Sequence, residues 1–127
     1  MILGIGTDIA ALARIESLHQ RYGERFAQRI LSTSEMAEFF RHAHPARLLM
    51  KRFAAKEALA KATGTGLRHP VSMTQMTVTH DVLGKPGFVF SSELAAYLEQ
   101  IGVVRHHLSI SDERDMAVAF VILEGAH

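Results

Sequence analysis

The alternation of apolar and polar positions at the start of the chain predicts a β-strand over residues 2–9. Gly4, Gly6 and Asp8 share one side of this strand, and glycines there allow close approach of a backbone or a ligand. Asp8 is therefore a charge beside open space at the end of a buried strand. It could also cap the following helix, and the two roles are compatible.

Helical periodicity over residues 10–31 predicts a helix that could break near Gly23. Ser32 and Glu35 have the spacing of a capping box, which predicts a short helix after them. A long central helix is expected from Pro45, because proline suits a first helical turn and an alanine-rich run follows it. Glycines at positions 64 and 66 predict its end.

The second half of the chain carries strand and turn patterns. Residues 76–80 and 88–90 predict a hairpin whose tip includes Lys85. A helix is expected from Ser91 or Ser92 to Gly102. Residues 107–111 alternate, and the apolar run 117–123 predicts a buried central strand. With helices early and hairpins late, we expect an α+β fold with a largely antiparallel sheet packed against the long central helix.

Composition narrows the possible classes of protein. A length of 127 residues suits a single domain, and the absence of cysteine fits a reducing compartment. No stretch approaches the length of a membrane span, and the N-terminus does not look like a signal peptide, so we expect a cytoplasmic protein without a membrane partner. The net charge of +1 does not suggest binding to nucleic acid.

Basic residues are distributed unevenly along the chain. Between Glu38 and Glu57 there are five of them and no acid: Arg41, Arg47, Lys51, Arg52 and Lys56. Such a run is most often a solvated face, although it could also face phosphate or an acidic partner. Another three could form one basic edge on the first helix, for which solvation is again the simpler interpretation: Arg14, Arg21 and Arg25.

The central helix carries an unusual pair of charges, Glu57 and Lys61, which lie within about 40° of each other on an otherwise apolar face. This spacing is typical of a modest surface ion pair. It could also place a carboxylate and an ammonium where a metal ion or a phosphate meets both. His42 and His44 stand two residues apart in a loop, which is weak evidence for a metal site.

Motifs along nearly the whole chain match one family in the right order. They are GIGTDI at 4–9, RI at 14–15, ERF at 24–26, RILS at 29–32 with Glu35, RFAAKEA at 52–58 with Lys61 and GTG at 64–66, LGKP at 83–86, and HLSIS at 107–111 followed by AVA at 117–119. The chain resembles the holo-(acyl-carrier-protein) synthases, the small type of 4'-phosphopantetheinyl transferase. The FxAKEA signature after a GTD is the specific part of this resemblance.

The resemblance implies transfer of phosphopantetheine from coenzyme A to a serine of apo-acyl carrier protein. It implies Mg²⁺ as cofactor, held by Asp8 and Glu57, and a homotrimer with sites between subunits. Lys61 would contact a phosphate oxygen and offset transition-state charge, and Glu57 is the candidate base, acting through a metal-bound water. The resemblance assigns coenzyme A to Arg52, Lys61, Gly84, Lys85, Pro86, Ser109, Ile110 and Ser111, and the acidic carrier to Arg14, Arg21 and Arg25.

Some positions depart from the family pattern. Asp112 stands where many members have histidine, and a carboxylate there would repel phosphate, so Asp112 could instead orient a neighbour. Two other functions use the same residues: hydrolysis of a coenzyme A or nucleotide pyrophosphate, and carrier binding without catalysis. The accepted carrier proteins and the preference between free and acylated coenzyme A are left open by the sequence.

Overall fold

A computed structural model describes residues 1–127, and its elements follow the predicted order. The predicted helix over residues 10–31 is two helices, because Gly23 takes a left-handed φ of 61° and ends the first one. The elements are β1 (Ile2–Ala11), α1 (Leu12–Tyr22), α2 (Glu24–Ile30), α3 (Thr33–Arg41), α4 (Pro45–Thr63), a 3-10 turn (Met73–Gln75), β2 (Met76–His80), β3 (Pro86–Phe90), α5 (Ser92–Gln100), β4 (Val103–Asp112) and β5 (Met116–Gly125).

The strands form two antiparallel sheets. A three-stranded sheet has the order β1-β5-β4, with β5 in the centre as its apolar run predicts, and β2 pairs only with β3. Helix α4 packs against the inner face of the larger sheet. The predicted α+β class with a largely antiparallel sheet on a long central helix is confirmed.

The contact between β1 and α4 is unusually close. A Cβ atom placed on Gly6 would lie 1.8 Å from the carbonyl oxygen of Ala58, and one on Gly4 would lie 1.9 Å from that of Ala62. Only glycine fits at these two positions, which confirms the predicted close approach of a backbone on this side of the strand. Asp8 lies on the same side and is thereby brought to the C-terminal half of α4.

The outer face of the larger sheet is apolar and exposed. Ile5 and Ile9 of β1 are 55% and 65% exposed, and Phe120 of the neighbouring β5 is 41% exposed. Leu3 and Met116 extend the same apolar surface. A contiguous apolar face of this kind is typical of a protein–protein contact. No helix of the chain has both the length and the apolar content needed to cross a bilayer.

Two of the five basic residues expected on a solvated face are buried, so that interpretation is wrong for them. Lys56 is fully buried and Arg52 is 3% exposed. Lys56 Nζ lies 2.5 Å from Oε1 of the buried Glu35 and also donates to the carbonyls of Ile30 and Met73. Burial lowers the pKa of Lys56 to about 8, and the adjacent Glu35 carboxylate opposes this shift.

Glu35 makes more contacts than the predicted capping box. One carboxylate oxygen accepts the Ser32 N–H at 2.9 Å, which is the expected cap, and the other accepts the Val78 N–H at 2.9 Å. Arg52 Nε lies 3.4 Å from the same carboxylate, within ion-pair distance although without a hydrogen bond. Glu35 therefore joins α3, α4 and β2 at one buried point.

We predict that Lys56→Met destabilises the fold by about 3–5 kcal/mol, because it leaves the buried Glu35 carboxylate without its closest cation. The measurement is urea unfolding monitored by circular dichroism. Lys51→Met is the matched control, since Lys51 lies on the same helix but is only partly buried and forms no ion pair. Equal effects of the two substitutions would contradict a structural role for the Glu35–Lys56 pair.

Candidate active site

Asp8 and Lys61 meet where β1 crosses α4. Lys61 Nζ lies 3.1 Å from Asp8 Oδ1 and donates to the carbonyl of Thr7 at 3.0 Å. The interpretation of Asp8 as a helix N-cap is wrong, because β1 continues to Ala11 and Ala11 is the N-cap of α1. The surface ion pair expected between Glu57 and Lys61 is also absent, because Lys61 turns to Asp8 instead.

Glu57 lies close enough to this pair to interact with it. Burial raises the pKa of the Glu57 carboxyl, and the charge of Asp8 raises it further, while Lys61 and Arg14 oppose both effects. Asp8 Oδ2 is buried and has no hydrogen-bond partner. The charge of Asp8 thus acts on Glu57 within a single chain, and Asp8 has an oxygen without a hydrogen-bond partner.

These residues fit a hard cation with few protein ligands. The chain contains no cluster of three or more histidine, cysteine or acidic side chains that could hold a metal ion. Mg²⁺ commonly takes only one or two carboxylates and completes its shell with phosphate and water, which is the donor set that Asp8 and Glu57 offer. His42 and His44 belong to no such cluster, and the His42 Nδ1 accepts the His44 N–H at 3.0 Å.

A broad groove of about 760 Å³ begins at Glu57 and runs between α1, α2 and α4. Its wall is mainly apolar: Leu18, Tyr22, Phe26, Ile30, Phe53, Leu67 and Met73. Arg25 and Arg29 stand at its edge, and the Arg21 guanidinium lies 5.3 Å from the Tyr22 ring centroid. Of the predicted basic edge, Arg25 lines the groove that reaches Glu57 and Arg21 packs on the Tyr22 ring in its wall, so the edge extends over two helices.

A second, smaller groove of about 190 Å³ lies on another side of α4. Four residues predicted to bind the coenzyme line it, namely Arg52, Gly84, Pro86 and Ile110. Arg52 is held by acids there, since its Nη2 donates to both carboxylate oxygens of Glu38 at 3.0 and 3.2 Å. We call this the hairpin groove, because the β2–β3 turn forms one of its walls.

The remaining predicted coenzyme residues lie outside this groove. Lys85 is exposed in the β2–β3 turn, where its backbone N–H donates to Asp81. The register of β4 turns Ser109 and Ser111 to the outer face of the sheet, beside Phe120 and Val118, while Ile110 turns inward. Lys61 belongs to the Asp8 site. The structure therefore divides the predicted coenzyme residues among separate places on one chain.

Three basic or imidazole residues of the hairpin groove were not predicted to bind the coenzyme: Lys51, which the sequence placed only in a basic run that could face phosphate, His42 and His80. Burial and the nearby Arg52 charge lower the pKa of His80, which favours its neutral form. Helical spacing was a usable signal for Lys51, because Leu48, Lys51 and Arg52 share one face of α4. No local pattern indicates His80, because its place depends on its pairing with Pro86 across the hairpin.

Comparison with known proteins gives the class of protein. Residues 4–121 match the family model described as the 4'-phosphopantetheinyl transferase superfamily. The chain belongs to this family.

Two solved structures and one further relative indicate the branch of the family to which the chain is similar. It is 58% identical over 124 residues to the holo-(acyl-carrier-protein) synthase of Nitrosospira multiformis, covering 98% of this chain and 99% of that one. The crystal structure of the Neisseria meningitidis synthase superposes with a TM-score of 0.95 at 50% identity, covering 98% and 99% of the two chains. A Bacillus anthracis synthase in complex with coenzyme A (3',5'-ADP) superposes at 0.81 with 38% identity, covering 99% of each chain.

We predict that Asp8→Asn lowers the pKa of Glu57 and that Lys61→Met raises it, in protein free of metal ions. The first substitution removes the negative charge that disfavours ionisation of Glu57, and the second removes a positive charge that favours it. The measurement is an NMR titration of the Glu57 carboxyl carbon. A pKa that is the same in both variants and in the unmodified chain would show that these groups do not share a site.

Proposed function

We propose that this chain transfers the 4'-phosphopantetheine group of coenzyme A to a serine of an apo-acyl carrier protein, in fatty acid biosynthesis. The second product is adenosine 3',5'-bisphosphate. The observation that carries the proposal is the convergence of Asp8, Glu57 and Lys61 in a chain that belongs to the phosphopantetheinyl transferase family. Relatives bearing the name of this synthase, one of them solved with coenzyme A, support it.

Asp8 and Glu57 are the residues that would hold Mg²⁺. Two observations support this assignment: Asp8 has a buried oxygen without a hydrogen-bond partner, and its charge acts on the Glu57 carboxylate. Bound there, the ion would supply positive charge to the pyrophosphate oxygens on which negative charge accumulates during phosphoryl transfer.

Glu57 and Lys61 are the proposed catalytic residues. Glu57 lines the groove in which the carrier serine would approach, so a Glu57 oxygen is the proposed acceptor of the serine proton. Lys61 is half-exposed, and its ammonium group can turn from Asp8 to a phosphate oxygen, where it offsets charge that grows in the transition state.

We further propose that the active site is completed between copies of the chain, in a homotrimer. Within one chain, Asp8 and Glu57 lie on a different side of α4 from the hairpin groove, so one copy would bring its acids to the groove of its neighbour. The exposed apolar face of the β1-β5-β4 sheet supports such contact. Ser109 and Ser111 lie on this face, where they could reach a coenzyme shared with the neighbour.

The carrier protein is proposed to bind at the basic edge formed by Arg14, Arg21 and Arg25. Arg25 lines the apolar groove that reaches Glu57, and the charge of Arg14 acts on Glu57, so an acidic protein docked on this edge would have its serine near the proposed base. Two expectations from the sequence stay predictions: that residues 1–127 form a single phosphopantetheinyl transferase domain, and that the protein is cytoplasmic.

Asp8→Asn and Glu57→Gln should each lower the rate of carrier modification by about 100-fold or more, because each removes a carboxylate that would hold Mg²⁺ at the reacting pyrophosphate, and Glu57→Gln also removes the proposed base. The assay is mass spectrometry of apo-acyl carrier protein incubated with coenzyme A and Mg²⁺. Glu93→Gln is the matched control, since Glu93 lies on α5 and pairs only with His69.

Two outcomes would count against this assignment. Full activity in either acid variant would exclude the proposed metal ligands. Release of adenosine 3',5'-bisphosphate at the same rate without any carrier would favour the hydrolase alternative described above.

The homotrimer is tested by charging the apolar sheet face. We expect the unmodified chain to have about three times the mass of one 14.1 kDa chain in solution, and Ile5→Lys/Ile9→Lys to dissociate because it buries two charges in the contact. Multi-angle light scattering gives the mass. Val82→Lys is the control, because Val82 is fully exposed at the hairpin turn, away from this face. A monomeric unmodified chain would exclude the trimer.

A further inference from the structure

The turn between β4 and β5 is held by one arginine of the central helix. Arg47, in the first turns of α4, donates Nη1 to the carbonyl of Arg114 at 2.7 Å. Its Nη2 donates to Asp112 Oδ2 at 2.7 Å and to the carbonyl of Glu113 at 2.8 Å. A single guanidinium therefore binds three consecutive residues, and only the contact with Asp112 neutralises a charge.

The backbone of this turn has other anchors. The Leu12 N–H donates to the carbonyl of Asp115 at 2.8 Å, and the Glu113 N–H donates to the carbonyl of Met116 at the same distance. These bonds hold the turn at the start of α1 and close it onto β5. The shape of the turn thus does not depend on Arg47 alone. The contact that Arg47 makes and the other anchors do not is the ion pair with the Asp112 carboxylate.

Asp112 lines the hairpin groove, where its charge opposes the binding of an anion. The groove contains two acids, Asp112 and Glu38, and each is paired with an arginine of α4: Glu38 with Arg52 and Asp112 with Arg47. With both acids neutralised, Lys51 remains as a cation without an ion-pair partner. The net charge of the groove is then positive, which favours the binding of a ligand that carries phosphate.

We propose that Arg47 is a positioning residue of the coenzyme site: it holds the Asp112 carboxylate against α4 and cancels its charge, so that the hairpin groove accepts the phosphates of coenzyme A. This inference rests on the proposed function, because it takes the hairpin groove as the coenzyme site. It assigns Arg47 no contact with the coenzyme. The effect of removing Arg47 must therefore depend on whether Asp112 is charged.

A double-mutant cycle tests this dependence. We expect Arg47→Ala to weaken coenzyme A binding about 10-fold, and Arg47→Ala/Asp112→Asn to restore it to within about 3-fold of the unmodified chain. Asp112→Asn alone should change it less than about 3-fold, and Arg47→Lys should preserve most of it because the charge remains. Isothermal titration calorimetry with coenzyme A gives the dissociation constant, and kinetics at varied coenzyme A and varied carrier give the two KM values.

The outcomes separate the possible roles of Arg47. A KM that rises for coenzyme A but not for the carrier, and that is reversed by Asp112→Asn, supports the proposal. Equal weakening in the single and double variants would overturn it, because Arg47 would then act independently of Asp112. Loss of thermal stability with unchanged coenzyme affinity would overturn it in favour of a purely structural role.

The same measurements distinguish a failure of the proposed function. If the unmodified chain binds coenzyme A in the calorimeter but does not modify any apo-carrier, the transferase assignment fails, while the cycle on binding still decides the role of Arg47. If the chain transfers the group but the cycle shows no coupling between Arg47 and Asp112, the function stands and this inference fails.

Discussion

The fold depends on one buried ion pair, between Glu35 at the start of α3 and Lys56 in the middle of α4. Neither charge has access to water, so each requires the other and every available backbone partner. Those partners come from four separate elements, through the Ser32 and Val78 N–H groups and the Ile30 and Met73 carbonyls. The pair thereby fixes α2, α3, the 3-10 turn and β2 around α4.

Once α4 is fixed, it separates two different sites. Its C-terminal half meets β1 at the distance that Gly4 and Gly6 permit, which brings Asp8 to Lys61 and Glu57. Its N-terminal half faces the β2–β3 turn and the β4–β5 turn, which form the hairpin groove with two arginine–acid pairs. These sites lie on different sides of one helix, which is the arrangement that the proposed assembly of several copies explains.

The predictions that depended on local pattern agree with the structure. The capping box at Ser32 and the inward direction of Ile110 each depend on residues within a few positions, and both are confirmed. The acids at positions 8 and 57 stood out from local pattern as charges in unusual surroundings, but only the family motifs assigned both of them to one metal ion. The sequence interpretation erred with Asp8 as a cap, with Lys61 as the partner of Glu57, and with a solvated Lys56, since each depends on a neighbour from another element.

The sequence by itself therefore determined the order and type of the elements and the α+β class, because periodicity, capping and motif spacing are local properties. Only the tertiary structure decided which charges meet. Lys56 and Glu35 are 21 residues apart, Asp8 and Lys61 are 53 apart, and Arg47 and Asp112 are 65 apart. No local pattern can encode such pairings, because they arise from the way α4 is packed between the sheet and the hairpin.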